Sequence, residues 1–158
     1  MTRATTIKVG LISDTHSLLR SEALESLRGS DFIIHAGDIC DAAVLEQLSR
    51  LAPVTAVRGN NDRGAWAAAI PETNVLEVGA TLLYVIHNID ELDIDPGAAG
   101  FHAVIYGHSH KPLIEEKHGV LFINPGSAGP RRFKLPVSTA QLLITSTGII
   151  PQLMTLEV

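Results

Sequence analysis

Residues 7–16 read Ile7-Lys8-Val9-Gly10-Leu11-Ile12-Ser13-Asp14-Thr15-His16, an apolar, β-rich run that leads straight into an acid and a histidine. Such a run reads as a strand. Further strand-like runs fall at residues 32–34, 54–57, 82–86, 103–106 and 120–123. Between the first two, residues 19–28 place Leu19, Ala23, Leu24 and Leu27 at helical spacing. Between the second and third, Asp41 can cap a helix whose Val44, Leu45, Leu48 and Leu51 form one apolar stripe. The order βαβαβ implies parallel strands joined by right-handed crossovers.

The second half changes style. Residues 75–78 and 82–86 flank Gly79, 113–116 and 120–123 flank Gly119, and 142–145 and 152–156 flank Gly148. Glycine at such gaps supplies the positive φ of a tight turn, so these pairs read as hairpins. An α/β half followed by a β-rich half points to two packed sheets with helices on their outer faces.

At 158 residues, with 46% hydrophobic and 18% charged, the chain is expected to form one ordered domain over residues 1–158. The start, Met1 to Ser13, is too short for the apolar core of a signal peptide and ends in polar residues. No apolar run approaches the roughly 20 residues of a membrane span. The single cysteine, Cys40, excludes an internal disulfide, suits a reducing cytoplasmic compartment and reads as a small buried hydrophobe. A net charge of -5 argues against general nucleic-acid binding, yet not against an anionic substrate, because bound cations can dominate the local field.

Chemistry gathers at the ends of the strand-like runs. Asp14-Thr15-His16 follows the first, Gly37-Asp38 the second, Gly59-Asn60-Asn61-Asp62 the third, His87 the fourth and Gly107-His108-Ser109-His110 the fifth. Ligands of open α/β sheets bind beyond the carboxyl ends of strands, so these groups can meet in one crevice. Any one of them alone is a weak metal signal; their ordered succession is the informative feature.

That succession, spanning roughly residues 9–110, resembles the calcineurin-like metallophosphoesterase superfamily, whose motifs run D-x-H, G-D, G-N, H and G-H-x-H. The short chain and the later Asn124-Pro125-Gly126-Ser127 are similar to its small, capless phosphodiesterases of the YfcE type. The resemblance implies a four-layer α/β/β/α sandwich of two mixed sheets. It also implies two divalent ions, one held by Asp14, His16 and His110 and the other by Asn60, His87 and His108, with Asp38 bridging them. Oxygen and imidazole donors without thiolate suit manganese, the expected metal, as well as iron, zinc, nickel or cobalt.

On this reading a hydroxide held between the ions attacks phosphorus in line with the leaving oxygen, and the substrate is a small phosphoester. Asp38, Asn60, Asn61 and Asp62 are the candidates for catalysis, and Asn61 and Arg131 for substrate binding. Arg132 can complete a phosphate fork with Arg131, or the pair can simply face solvent. Many relatives carry histidine where Asn61 stands; an amide cannot act as a general acid, so diesters and aryl esters should turn over better than alkyl monoesters. Asn88 follows His87 where relatives usually have glycine, and asparagine's tolerance of the left-handed region can preserve the loop.

His35 reads as a hydrogen-bonded core or supporting residue, and His102 and His118 as solvated surface groups. Trp66 and Phe133 read as packing residues rather than a substrate rim. Small relatives often associate, so a homodimer is expected. The competing class is a protein-interaction scaffold of the same fold, which keeps the architecture without the catalysis.

Overall fold

The computed structural model describes residues 6–158; the first five residues of the Met1 to Ser13 stretch lie outside them. Strand β1 (Ile7–Ile12) leads through α1 (Ser21–Leu27), β2 (Phe32–His35) and α2 (Ala42–Ser49) to β3 (Val54–Ala56). A short helix α3 (Ala65–Ala68) follows, then β4 (Thr73–Val78), β5 (Thr81–Ile86), a 3₁₀ turn (Ile89–Glu91) and β6 (Ala103–Ile105). The chain ends in two hairpins, β7 (Leu113–Lys117) with β8 (Val120–Asn124) and β9 (Ser138–Thr145) with β10 (Gly148–Thr155).

Two five-stranded mixed sheets result, ordered β10-β9-β1-β2-β3 and β4-β5-β6-β8-β7. Strands β1, β2 and β3 are parallel, as the βαβαβ pattern implies. In the second sheet β5, β6 and β8 are parallel, with β4 and β7 antiparallel at the edges. The C-terminal hairpin returns to pair β9 with β1, matching Ile7 to Ile144 and Val9 to Leu142.

Period-2 alternation decides what each strand buries. Val9, Leu11 and Ile34 on one sheet meet Leu83, Val85, Ile105 and Ile123 on the other, and this is the central core. The opposite face of the first sheet, with Ile12 and Ile33, packs on Ala23 and Leu27 of α1 and Val44 and Leu48 of α2. The outer face of the second sheet, with Tyr84, Val104 and Phe122, is covered by Ile89, Leu92, Ile94 and Phe101. The fourth layer is therefore a 3₁₀ turn and its flanking chain.

Local signals explain the helix limits. Asp41 caps α2 by accepting a hydrogen bond from the Ala43 amide at 2.9 Å. Helix α1 begins at Ser21 after Arg20, whose side chain makes no capping hydrogen bond. Strand β9 is longer than its apolar stretch. Ser138 and Thr139 are buried there, and they stay satisfied because Ser138 Oγ donates to the Pro125 carbonyl at 2.7 Å and Thr139 bonds Ser26 at 2.8 Å.

Candidate metal centre

Five strand ends supply the groups. The loops after β1 and β2 run side by side: the Asp14 amide donates to the Gly37 carbonyl at 3.0 Å, and the His16 amide to the Asp38 carbonyl at 3.0 Å. The second sheet is tied in where the His108 amide donates to Asp14 Oδ2 at 3.1 Å. Gly107, just before, lets that approach happen, since a Cβ on it would stand 2.7 Å from the same oxygen.

The expected ligands meet as two groups. Asp14, His16 and His110 form one, and Asp38, His87 and His108 the other, each with its ligand atoms within 4.8 Å of one another. Asn60 joins the second: its Oδ1 lies 3.1 Å from His87 Nε2 and 3.2 Å from His108 Nδ1. Asp38 faces both, with Oδ2 3.3 Å from His87 Nε2 and 3.6 Å from His16 Nε2. Seven side chains singled out from the sequence thus share one crevice.

Backbone strain concentrates in the same place. Among the described residues nine non-glycine positions have positive φ, and Asp14, His16, Asp38, His108 and His110 are five of them. Such backbone costs on the order of 1–3 kcal/mol per residue and persists where surrounding structure over-determines it. The parallel loop hydrogen bonds supply that constraint.

Buried polar atoms test whether a cation fits. Asp14 Oδ1 and His16 Nε2 are buried without a hydrogen-bond partner, as is His110 Nδ1. An unpaired buried carboxylate oxygen is costly, and a cation is the partner that suits it. The His87 ring donates from Nδ1 to the Ala36 carbonyl at 2.7 Å, which turns Nε2 towards Asp38 and makes it the nitrogen that can ligate a cation once its proton is lost.

Burial and neighbouring charges shift these groups unevenly: burial works against a protonated His87, yet the Asp38 hydrogen bond and the Asp14 and Asp38 charges outweigh it and raise the His87 pKa. Burial lowers the pKa of His16 and, helped by the Arg132 charge, takes His110 down to about 4, so both are neutral at pH 7. Burial works against the Asp38 carboxylate, yet hydrogen bonds from His87 and Asn61 outweigh it and hold the group below the usual carboxylate range. Asp14 moves the other way: burial pushes it up to about 6 against the opposing pull of His87 and Ser13. Metal ligands must be neutral imidazole and ionised carboxylate, and a cation at Asp14 would supply what burial removes.

The other expected site residues divide. The Asn61 side chain donates to Asp38 Oδ2 at 3.0 Å and its backbone amide to Oδ1 at 2.9 Å, so it holds the carboxylate. Asp62 is buried with both oxygens taken, by the Cys40 amide at 2.7 Å and the Gly59 amide at 2.8 Å, and braces two loops. Arg131 and Arg132 are both exposed; of the two, Arg132 is the charge that acts on His16 and His110. Asn124, the last residue of β8, donates to the Gly107 carbonyl at 3.1 Å and so supports the G-H-x-H loop.

Three expectations need correction. Cys40 is only half-buried, and its Sγ lies 3.6 Å from His16 Nδ1, so it touches a candidate ligand instead of filling a core. Asn88 is extended, at φ -110, and it caps the 3₁₀ turn by accepting from the Asp90 amide at 3.1 Å. Phe133 is 93% exposed and does not pack, whereas Trp66 does pack on the helical core. His102 is exposed as expected, yet its Nδ1 accepts from the Leu82 amide at 3.0 Å.

Paired Asp and His clusters at the strand ends of two packed sheets define the class: an α/β protein built to hold divalent cations. The chain belongs to the calcineurin-like phosphoesterase superfamily, whose domain matches residues 7–147. It is 34% identical over 135 residues to a probable metallophosphoesterase of Methanocaldococcus jannaschii, covering 77% of this chain and 68% of that one. It is 31% identical over 140 residues to a phosphodiesterase of the same organism, covering 76% of this chain and 83% of the relative. Among solved structures, a conserved uncharacterized protein from Streptococcus pneumoniae, titled a predicted phosphoesterase, superposes with a TM-score of 0.76 at 25% identity over 96% of this chain and 90% of that one. The Vacuolar Protein Sorting 29 protein of Cryptosporidium parvum shares the fold, with a TM-score of 0.79 at 23% identity over 96% and 92%.

Proposed function

We propose that the chain is a two-metal phosphodiesterase, with Asp14, His16 and His110 holding one divalent cation, Asn60, His87 and His108 the other, and Asp38 shared. The observation that carries this reading is the convergence of two ligand groups on either side of one carboxylate, with buried donor atoms left unpaired. When bound, such a pair of cations acts as a Lewis acid towards a phosphoryl oxygen and lowers the pKa of water from 15.7 towards about 7. Manganese is the metal we expect from the oxygen and imidazole donors.

The chain's own residues do the rest. Asp38 stays ionised under two Asn61 hydrogen bonds and the His87 imidazole. His87, locked by the Ala36 carbonyl, keeps one nitrogen turned to the centre. Asn61 can position a substrate oxygen but cannot donate a proton to a poor leaving group, which favours diesters and aryl esters.

Metal analysis of protein purified without chelator, paired with hydrolysis of bis(4-nitrophenyl) phosphate before and after chelation, tests the reading. Two equivalents of metal per chain and chelator-sensitive turnover are expected, with turnover lost in Asp38→Asn. Metal-free protein without turnover overturns it in favour of a non-catalytic scaffold, and an Asp38→Asn variant of full activity overturns the shared-carboxylate centre.

A further inference from the structure

Past the turn that is hydrogen-bonded to the backbone of Ser13 and Asp14 runs a loop, residues 130–134, that reads Pro130-Arg131-Arg132-Phe133-Lys134. Its three cations stand together without a carboxylate in a chain of net charge -5. All three and Phe133 are exposed.

The root of this loop is fastened to the backbone that carries Asp14 and His16. Ser127 Oγ donates to the Asp14 carbonyl at 3.0 Å, and the Ala128 amide to the Ser13 carbonyl at 3.0 Å. Arg20 Nη2 reaches across to the Gly129 carbonyl at 3.3 Å. The tip is closed by the Leu135 amide, which donates to the Arg132 carbonyl at 3.0 Å. Arg132 thus springs from a base tied to the backbone of Ser13 and Asp14.

Phe133 bears two costs at once. Its ring is 93% exposed, and its φ is +51, in a region that bulky side chains avoid. It belongs to none of the apolar clusters of the described residues. An exposed ring standing one residue from a guanidinium, on a loop braced against a phosphate-directed centre, has the parts of a recognition surface for an aromatic phosphoester: a π-face for the ring and a planar cation for the phosphoryl oxygens.

We propose that residues 130–134 form the substrate-recognition arm of the centre, with Arg132 meeting a non-bridging phosphoryl oxygen and Phe133 stacking on an aromatic ester group. The preferred substrates are then phosphodiesters that carry a nucleobase or another aryl ring. This deepens the phosphodiesterase reading and rests on it. Arg131 and Lys134 add positive field at the mouth, and Asn61 remains with Asp38.

Calorimetric titration of the manganese-loaded full chain with thymidine 5′-phosphate and with glycerol 3-phosphate isolates the ring, because both ligands carry a phosphate monoester. The wild type should bind the thymidine ligand about tenfold more tightly, the scale of one stacked base. Phe133→Ala should erase that preference, Phe133→Trp should keep it, and Arg132→Gln should weaken both ligands about 10- to 100-fold, the scale of a charged hydrogen bond. With thymidine 5′-(4-nitrophenyl phosphate) as substrate, Phe133→Ala should raise KM and leave kcat unchanged. A preference that survives in Phe133→Ala, or an effect equal for ligands with and without a ring, overturns the inference while metal-dependent turnover keeps the phosphodiesterase reading intact. A Phe133→Ala variant that changes only the sedimentation of the protein assigns the ring to contact between chains and likewise overturns it. Absence of both binding and turnover in the wild type overturns both readings.

Discussion

Gly59 backs onto Asp38 with no room for a side chain: a Cβ there would overlap the Asp38 carboxylate and backbone nitrogen and stand 2.9 Å from its Cγ. The fold thus spends a glycine to let the third strand end close over the carboxylate that both ligand groups face. Gly59→Ala must displace Asp38 or the loop. We expect a stability loss of about 1–3 kcal/mol, the scale of overpacking, and a fall in kcat of about 10², the scale of a small misplacement at a reacting centre. Urea unfolding and steady-state kinetics measure the two, and unchanged kcat would show that Asp38 need not sit where it does.

Metal should also stabilise the folded chain. The buried, unpartnered Asp14 Oδ1 and His16 Nε2 gain a partner when a cation enters. A ligand at 100 times its dissociation constant adds about 2.7 kcal/mol, which in a chain of this size corresponds to a Tm rise of roughly 5–10 °C. Thermal unfolding with manganese and with chelator measures it. The rise should shrink in Asp38→Asn, and an equal rise in that variant places the binding elsewhere.

Much of this was legible in order along the chain, and some was not. The strand ends carrying Asp14, Asp38, Asn60, His87 and His108 are readable because each polar cluster ends a short, continuous apolar run. Asp41 is readable because its side chain acts locally, two residues ahead. The pairing of β9 with β1 is not readable, because Leu142 finds Val9 across a separation that no local pattern encodes. Nor could spacing show that Asn61 turns its amide to Asp38, that Asp62 spends both oxygens on backbone amides, or that Cys40 lies against His16. Phe133 was misread for a related reason: hydrophobicity predicts burial only where an element carries the side chain inward, and this one sits on a positive-φ turn.

Asn61→His tests what the missing general acid costs. Histidine there keeps the backbone amide bond to Asp38 Oδ1 and gives up the side-chain bond to Oδ2. Positioned acid catalysis contributes about 10²–10⁴ where the leaving group needs a proton. Hydrolysis of glycerol 3-phosphate should therefore rise by at least about tenfold in the variant, a lower bound set by imperfect placement of the new acid. Hydrolysis of bis(4-nitrophenyl) phosphate, whose leaving group departs without protonation, should change little. A variant that gains nothing on the monoester removes Asn61 as the reason for diester preference.

His35 ties stability to pH beneath the two ligand loops. It is fully buried; its Nδ1 accepts from the Gly37 amide at 3.1 Å, so the proton sits on Nε2, which faces Thr15 Oγ1 at 3.1 Å. Thr15 Oγ1 passes the chain of hydrogen bonds to the Ile39 carbonyl at 3.2 Å. Burial, with the His87 charge adding to it, takes the His35 pKa from 6.5 down to about 3. A depressed folded pKa means that between about 6.5 and 3 the unfolded chain holds a proton that the folded chain refuses. The stability His35 contributes is thus complete above pH 6.5 and drains as pH falls through that window, by at most about 1.4 kcal/mol per pH unit. Urea midpoints of the chelated protein at pH 7, 6 and 5, compared with those of His35→Gln, should show a steeper acid loss in the wild type. Gln can offer both an acceptor to Gly37 and a donor to Thr15 without titrating, so equal slopes in the two proteins would remove His35 as the source.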